Sequence, residues 1–237
     1  MPSFKTIRAR AAKRKGGEAA LSALLPKLAT AKQLARITDD RILSEMSKRI
    51  FCSGFVWSVI DKKWPGFEEA FLGFVPQRLA FEPDEFWSDR AGDTRIVRNG
   101  QKIMAVRDNA RFVSDIAAEH GSFARFLAAW PLDDQIGLLA LLAKRGARLG
   151  GNTGQYFLRF IGRDGFVLSR DVIAALRDSG LDIAETPTSK KDMAAIQARF
   201  NEWHAETGLP YTHLSRICAM SIGENYSAAQ MAEMGSE

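Results

Sequence analysis

The chain has 237 residues, 46% of them hydrophobic and 26% charged, with a formal net charge of +5. That length suits one large domain or two small lobes, and the composition is that of a globular protein, not a disordered or fibrous one. No run of about 18 apolar residues exists to span a bilayer, and the N-terminus lacks the apolar centre of a signal peptide, so a cytoplasmic protein is expected.

Nearly every segment has helical period and none alternates as a strand would, so the expected fold class is all-α. Pro26, Pro65, Pro76, Pro83, Pro131, Pro187 and Pro210 all fall between periodic segments, where helices stop or start. A basic helix is expected over 3–15, broken by Gly16 and Gly17, then a short one over 18–25 that stops at Pro26, and another over 30–36. Thr38, Asp39 and Asp40 cap a stronger helix with Ile42, Leu43, Met46 and Ile50 on one face. A further helix carries Phe55, Val56, Trp57, Val59 and Ile60 and ends at Trp64-Pro65-Gly66, and Phe67, Phe71 and Phe74 suit a short helix after it. Residues 75–98 read as irregular, with a turn of helix at 83–88. The long helix of the chain covers 100–119, followed by helices at 122–130, 132–146, 170–178, 189–206 and 211–221, with a loose polar tail from Gly223. The domain reading is one two-lobed helical unit, with residues 1–37 as a basic extension, 38–222 as the core and 223–237 as the tail.

Cys52 and Cys218 form no CxxC pair, and His120, His204 and His213 do not cluster with both of them. A structural zinc site needs about four ligands, so no zinc is expected and both thiols read as buried and reduced. The charge is unevenly spread. Residues 1–15 hold Lys5, Arg8, Arg10, Lys13, Arg14 and Lys15 and no acid, or +6. Residues 144–170 hold Lys144, Arg145, Arg148, Arg159, Arg163 and Arg170 against Asp164, or +5, so the remainder carries −6. A localised basic surface follows.

The second basic stretch surrounds Leu149-Gly150-Gly151-Asn152-Thr153-Gly154. Gly150 and Gly151 allow φ > 0 or a close backbone approach, and Asn152 or Thr153 can cap a helix that continues through Tyr156, Phe157, Phe160 and Ile161. A glycine turn that feeds a helix leaves unpaired N–H groups at the positive end of the helix dipole, which suits an anion. With this many cations nearby, the anion that fits is a nucleic-acid phosphate.

Three stretches carry a family likeness: GFVWSVIDKKWPGFEEAFLGF over 54–74, RIVRNGQKIMAVRDNARFV over 95–113, and LLAKRGARLGGNTGQYFLRFIG over 141–162. Together they resemble the 3-methyladenine DNA glycosylase I family of the helix-hairpin-helix superfamily. The resemblance implies a two-lobed helical fold that flips an alkylated purine such as 3-methyladenine out of double-stranded DNA and hydrolyses its N-glycosidic bond. A monomer without a cofactor is expected, with a monovalent cation at the hairpin left open. The hairpin, through Gly150, Gly151, Asn152, Thr153 and Gly154, would hold phosphates with Lys144, Arg148 and Arg170. Trp57 matches the family's pocket tryptophan, with Phe51 and Tyr156 as further pocket rings. The family's zinc ligands are unmatched, and Arg49 aligns with its base-contacting glutamate. The catalytic aspartate of the superfamily falls near Ser169, which makes Asp171, two residues on, the candidate carboxylate, with Glu45 and Asp61 in reserve. No lysine follows the hairpin turn, where Asn152 stands, so hydrolysis without lyase chemistry is expected. The alternatives are a non-catalytic reader of damaged or bent DNA and a helical domain that binds a protein partner.

Overall fold

A computed structural model describes residues 3–227 and residue 230. Among them every regular element is helical and no strand occurs, as the period required. No helix among the described residues is long and apolar enough to cross a membrane. The chain divides into two compact units. The hairpin unit holds Ala29–Trp130 and Leu138–Arg163; the terminal unit holds the described residues up to Leu28, Pro131–Gly137 and those from Asp164 onward.

In the terminal unit the Phe4–Lys15 helix packs on the Tyr211–Ser221 helix and buries Phe4, Ile7, Ala11 and Ala12. Phe4 meets Trp203 with ring centroids 5.1 Å apart, and Phe166 stacks on Phe200 at 4.3 Å. The cations of this first helix turn back onto its own unit. Arg10 pairs with Asp178 at 2.7 Å, Arg14 donates to the carbonyls of Met220 and Gly223, and Lys15 Nζ donates to the Tyr226 carbonyl at 2.6 Å. The first residues of the predicted tail are therefore held by hydrogen bonds; 228–229 and 231–237 lie outside the described residues.

In the hairpin unit the Asp39–Cys52 and Gly100–His120 helices pack together at the centre of the larger core. Thr38 is the N-cap and makes no side-chain bond to the first turn, and Asp39, expected to cap the helix, instead accepts from the Phe123 amide at 2.9 Å through its Oδ1. The expected break at Pro65 does not occur: one helix runs over Trp57–Ala70 with Pro65 inside it. Proline removes one intrahelical bond there. Packing on both sides outweighs the loss. Trp64 stacks on Phe67 at 4.9 Å and on Phe74 at 5.4 Å. Glu68 takes both terminal nitrogens of Arg41 at 2.9 Å, Ser44 Oγ at 2.6 Å and Trp64 Nε1 at 3.1 Å. Residues 75–98, expected to be irregular with one helical turn, carry the Pro76–Leu79 and Asp84–Gly92 helices.

Candidate functional site

The Gln135–Arg145 helix delivers the chain into the glycine turn, and the next helix is Asn152–Phe160. The turn is tight. Arg148 sits at φ +59° and Gly151 at φ +57°. A Cβ on Gly154 would stand 2.5 Å from the Leu149 carbonyl oxygen, and one on Gly146 would stand 2.8 Å from that of Leu142. Buried Asn109, on the long helix, grips the turn from beneath: its Nδ2 donates to the Ala147 carbonyl at 3.0 Å and its Oδ1 accepts from the Ala147 amide at 2.8 Å.

Gly151, not Asn152 or Thr153, is the N-cap, and no side chain caps the first-turn amides. Gly150, Gly151 and Asn152 are exposed, Thr153 is half-buried and Gly154 is buried. A helix start without a side-chain acceptor offers its amides to an external anion. The cations around it divide. Lys144 and Arg148 are exposed, and Arg148 donates to Gln101 Oε1 at 3.0 Å. Arg145 pairs with Glu119 at 3.2 Å. Arg163, counted among the surface cations by sequence, is instead 2% exposed and donates to the carbonyls of Leu127 and Trp130. Arg170 is exposed but belongs to the terminal unit. A groove of about 480 Å³ flanks the turn, lined by Gly100, Gln101, Met104, Asp108, Ala147 and Arg148.

Trp57 opens its helix half-buried and meets Tyr156 edge-on at 5.3 Å and Phe160 at 5.7 Å. Phe160, one helical turn beyond Tyr156, is 41% exposed and was not named for the pocket from sequence; its i+4 spacing from Tyr156 was the available signal. Phe51 does not join these rings. It is fully buried, edge-on to Phe67 at 4.6 Å, and its place on the inner face of its helix makes it a core residue.

Arg49 lies within the aromatic group. Its guanidinium carbon is 3.9 Å from the Phe160 ring centre and 5.0 Å from that of Trp57. Glu45 Oε1 lies 2.7 Å from Arg49 Nε, one turn earlier. Burial pushes the Glu45 carboxyl above its ordinary value, against the pull of Arg49 and Lys48. Lys48 pairs with the other reserve carboxylate, Asp61, at 2.5 Å. Lys102 fixes the approach to Trp57. Its Nζ donates to the carbonyls of Phe51 at 3.1 Å and Ser53 at 2.5 Å and stands 4.5 Å over the Phe55 ring. Burial, then the charge of Arg148, pulls the Lys102 ammonium below the usual lysine range. Phe55 and Val56, held on this turn, are exposed apolar residues.

Asp171, in the terminal unit, lies half-buried in the first turn of the Arg170–Asp178 helix. Ser169 is the N-cap there and accepts from the Val172 amide at 3.3 Å. The Asp171 carboxylate lies so close to Gly223 that a Cβ at that glycine would stand 2.5 Å from Oδ1. Cys52 and Cys218 are both buried thiols, and burial raises both.

Residues 35–137 match the methyladenine glycosylase family model. This region includes Glu45, Arg49, Trp57, Lys102 and Asn109; the hairpin follows it in sequence. The 3-methyladenine DNA glycosylase I of Staphylococcus aureus is 24% identical, with 53% of this chain and 77% of that one covered and a TM-score of 0.47. The 8-oxoguanine DNA glycosylase of Methanocaldococcus jannaschii is 14% identical over 93% of this chain and 95% of its own, with a TM-score of 0.57. The Methanocaldococcus jannaschii 8-oxoguanine glycosylase/lyase bound to a 15mer DNA gives 13% identity over 94% and 100%, with a TM-score of 0.53. The two long likenesses establish the fold, an all-helical one shared with these 8-oxoguanine DNA glycosylases. No curated protein matches the chain.

Proposed function

We propose that this methyladenine glycosylase homologue is a monofunctional base-excision repair enzyme. It hydrolyses the N-glycosidic bond of an alkylated purine, 3-methyladenine among them, after flipping it from duplex DNA. The observation that carries this reading is the Trp57–Tyr156–Phe160 group, partly open to solvent, in the same unit as a helix start with no side-chain cap.

The chemistry follows from the substrate. A base inside a duplex is out of reach, and flipping it costs a few kcal/mol. Stacking on aromatic rings returns about 1–3 kcal/mol per base. A purine cationic through alkylation departs readily, so the enzyme need not protonate it. What it must supply is a carboxylate to stabilise the positive sugar as the bond breaks, or to orient water. Asp171 is the proposed carboxylate. The amides of Gly151–Gly154, with Lys144 and Arg148, are the proposed phosphate grip, and Arg170 is proposed as a further phosphate contact.

Duplex DNA treated with a methylating agent tests this directly. The protein should release methylated purines, read by chromatography, and leave abasic sites that break only on treatment with alkali. Trp57→Ala should slow release about 10- to 100-fold, and Asp171→Asn should slow it without weakening DNA binding. A second reading has its own support. Ser169 is committed to capping its helix where the superfamily's aspartate falls. If DNA is bound but no purine is released, the protein is a non-catalytic reader of damaged DNA.

A further inference from the structure

We infer that Arg49 is a specificity-determining residue that reads position six of the flipped purine and favours a carbonyl oxygen there over an amino group. This rests on the glycosylase reading above and names the class of purine within it.

The argument starts from burial. The Arg49 side chain is 4% exposed, and a guanidinium keeps its charge at any ordinary pH. A buried charge is costly unless its donors are satisfied. Those of Arg49 are met only at Nε. Glu45 Oε1 lies 2.7 Å from Nε, and the two atoms are enclosed together. No hydrogen bond from either terminal nitrogen occurs among the described residues. The guanidinium is instead packed on aromatic faces, 3.9 Å from the centre of Phe160 and 5.0 Å from that of Trp57. These are the rings a flipped base would use, so a fork of unfilled donors borders the stacking site.

Arginine carries donors only, in a fixed planar fork that matches two acceptors side by side. Purines with a carbonyl at position six present O6 and N7 as such a pair. Purines with an amino group there present N7 beside two N–H donors, which oppose the fork. The ring faces add a second effect. Their negative potential is already met by the guanidinium, so they offer less to a cationic base than an empty aromatic cage would. Glu45, the neighbouring acceptor, has its Oε1 enclosed against Arg49.

Hypoxanthine and adenine make a matched pair, since they differ only in the group at position six and in the proton this places on N1. Binding of each is measured by tryptophan fluorescence, taking the part of the quenching that Trp57→Phe abolishes. Hypoxanthine should bind about tenfold or more tightly than adenine. Arg49→Gln should bring the two within about twofold of each other, and Arg49→Lys, which keeps the charge but loses the fork, should also narrow the gap. With methylated DNA, wild type should release 3-methylguanine in preference to 3-methyladenine, and Arg49→Gln should not. Equal or tighter binding of adenine by wild type overturns the inference, and needs no variant to fold. So does a preference that survives in Arg49→Gln. A preference for adenine that Glu45→Gln removes assigns the reading to Glu45 and also overturns it. If hypoxanthine is preferred but no methylated purine is released, the glycosylase reading alone fails, and Arg49 stands as the base-reading group.

Discussion

The two basic stretches of the chain read alike in sequence, at +6 over residues 1–15 and +5 over 144–170, and fold into different devices. In the first, Arg10, Arg14 and Lys15 hold Asp178 and the carbonyls of Met220, Gly223 and Tyr226, so the charge ties one end of the chain to the other. In the second, several cations are likewise engaged, but the helix start at Gly151 lacks a side-chain cap and Lys144 is exposed. A count of charges cannot separate a clamp from a proposed phosphate site. Where the carbonyls and amides lie does.

The comparison can be broken most sharply at Gly154. Valine there would drive a Cβ toward the Leu149 carbonyl, so the turn must open; a loss of about 3 kcal/mol in urea unfolding is expected, with DNA affinity falling alongside. A smaller effect comes from removing Lys144 and Arg148 together as glutamines. Stability should hold within about 1 kcal/mol. The dependence of DNA affinity on salt should weaken by about 2 in the log–log slope, read by fluorescence anisotropy. Arg10→Gln with Arg14→Gln should give the converse, a loss of about 1 kcal/mol in stability and an unchanged salt slope. An altered slope would restore the N-terminal helix as a DNA contact.

Acid sharpens the contrast between the units. Burial pushes the Glu68 carboxyl up, but the bonds from Arg41 and Ser44, with that of Trp64, outweigh it and hold the group below its ordinary value. The Arg95 guanidinium holds Asp93 low as well. A carboxyl held low in the folded state contributes stability above its unfolded value, and that contribution is lost as pH falls through the folded one. Both groups belong to the hairpin unit. Glu45, pushed up by burial in the same unit, acts in the opposite sense, so amide exchange below about pH 4.5, the unperturbed glutamate range, should show the segments held by Glu68 and Asp93 opening as pH falls. Glu68→Gln should flatten the trend.

Much of this was legible in the sequence. Helical period found nearly every helix, and of the two places where adjacent glycines follow a run of cations, 16–17 and 150–151, the second stood out because it lies in a stretch that resembles a known hairpin. What failed had physical causes. Pro65 signals a helix end locally, but the stacking of Trp64 on Phe67 and Phe74 is set by tertiary packing that no local rule contains. Arg163 reads as solvated because arginine usually is, whereas here the carbonyls of Leu127 and Trp130 lie within its reach. Phe51 and Trp57 look equivalent along the chain, yet the turn between their helices sends one ring into the core and leaves the other half-open. Arg49 could be flagged by alignment, but its burial against two aromatic faces could not.

The clamp of Asn109 on Ala147 leaves the hairpin hanging on the chemical difference between an amide nitrogen and an oxygen. Aspartate is nearly the same size, yet it would set a negative oxygen against the Ala147 carbonyl where a donor now stands. Deamidation of that single buried group would thus unfasten the loop with no change in bulk, making it a point where slow chemical ageing could silence the protein.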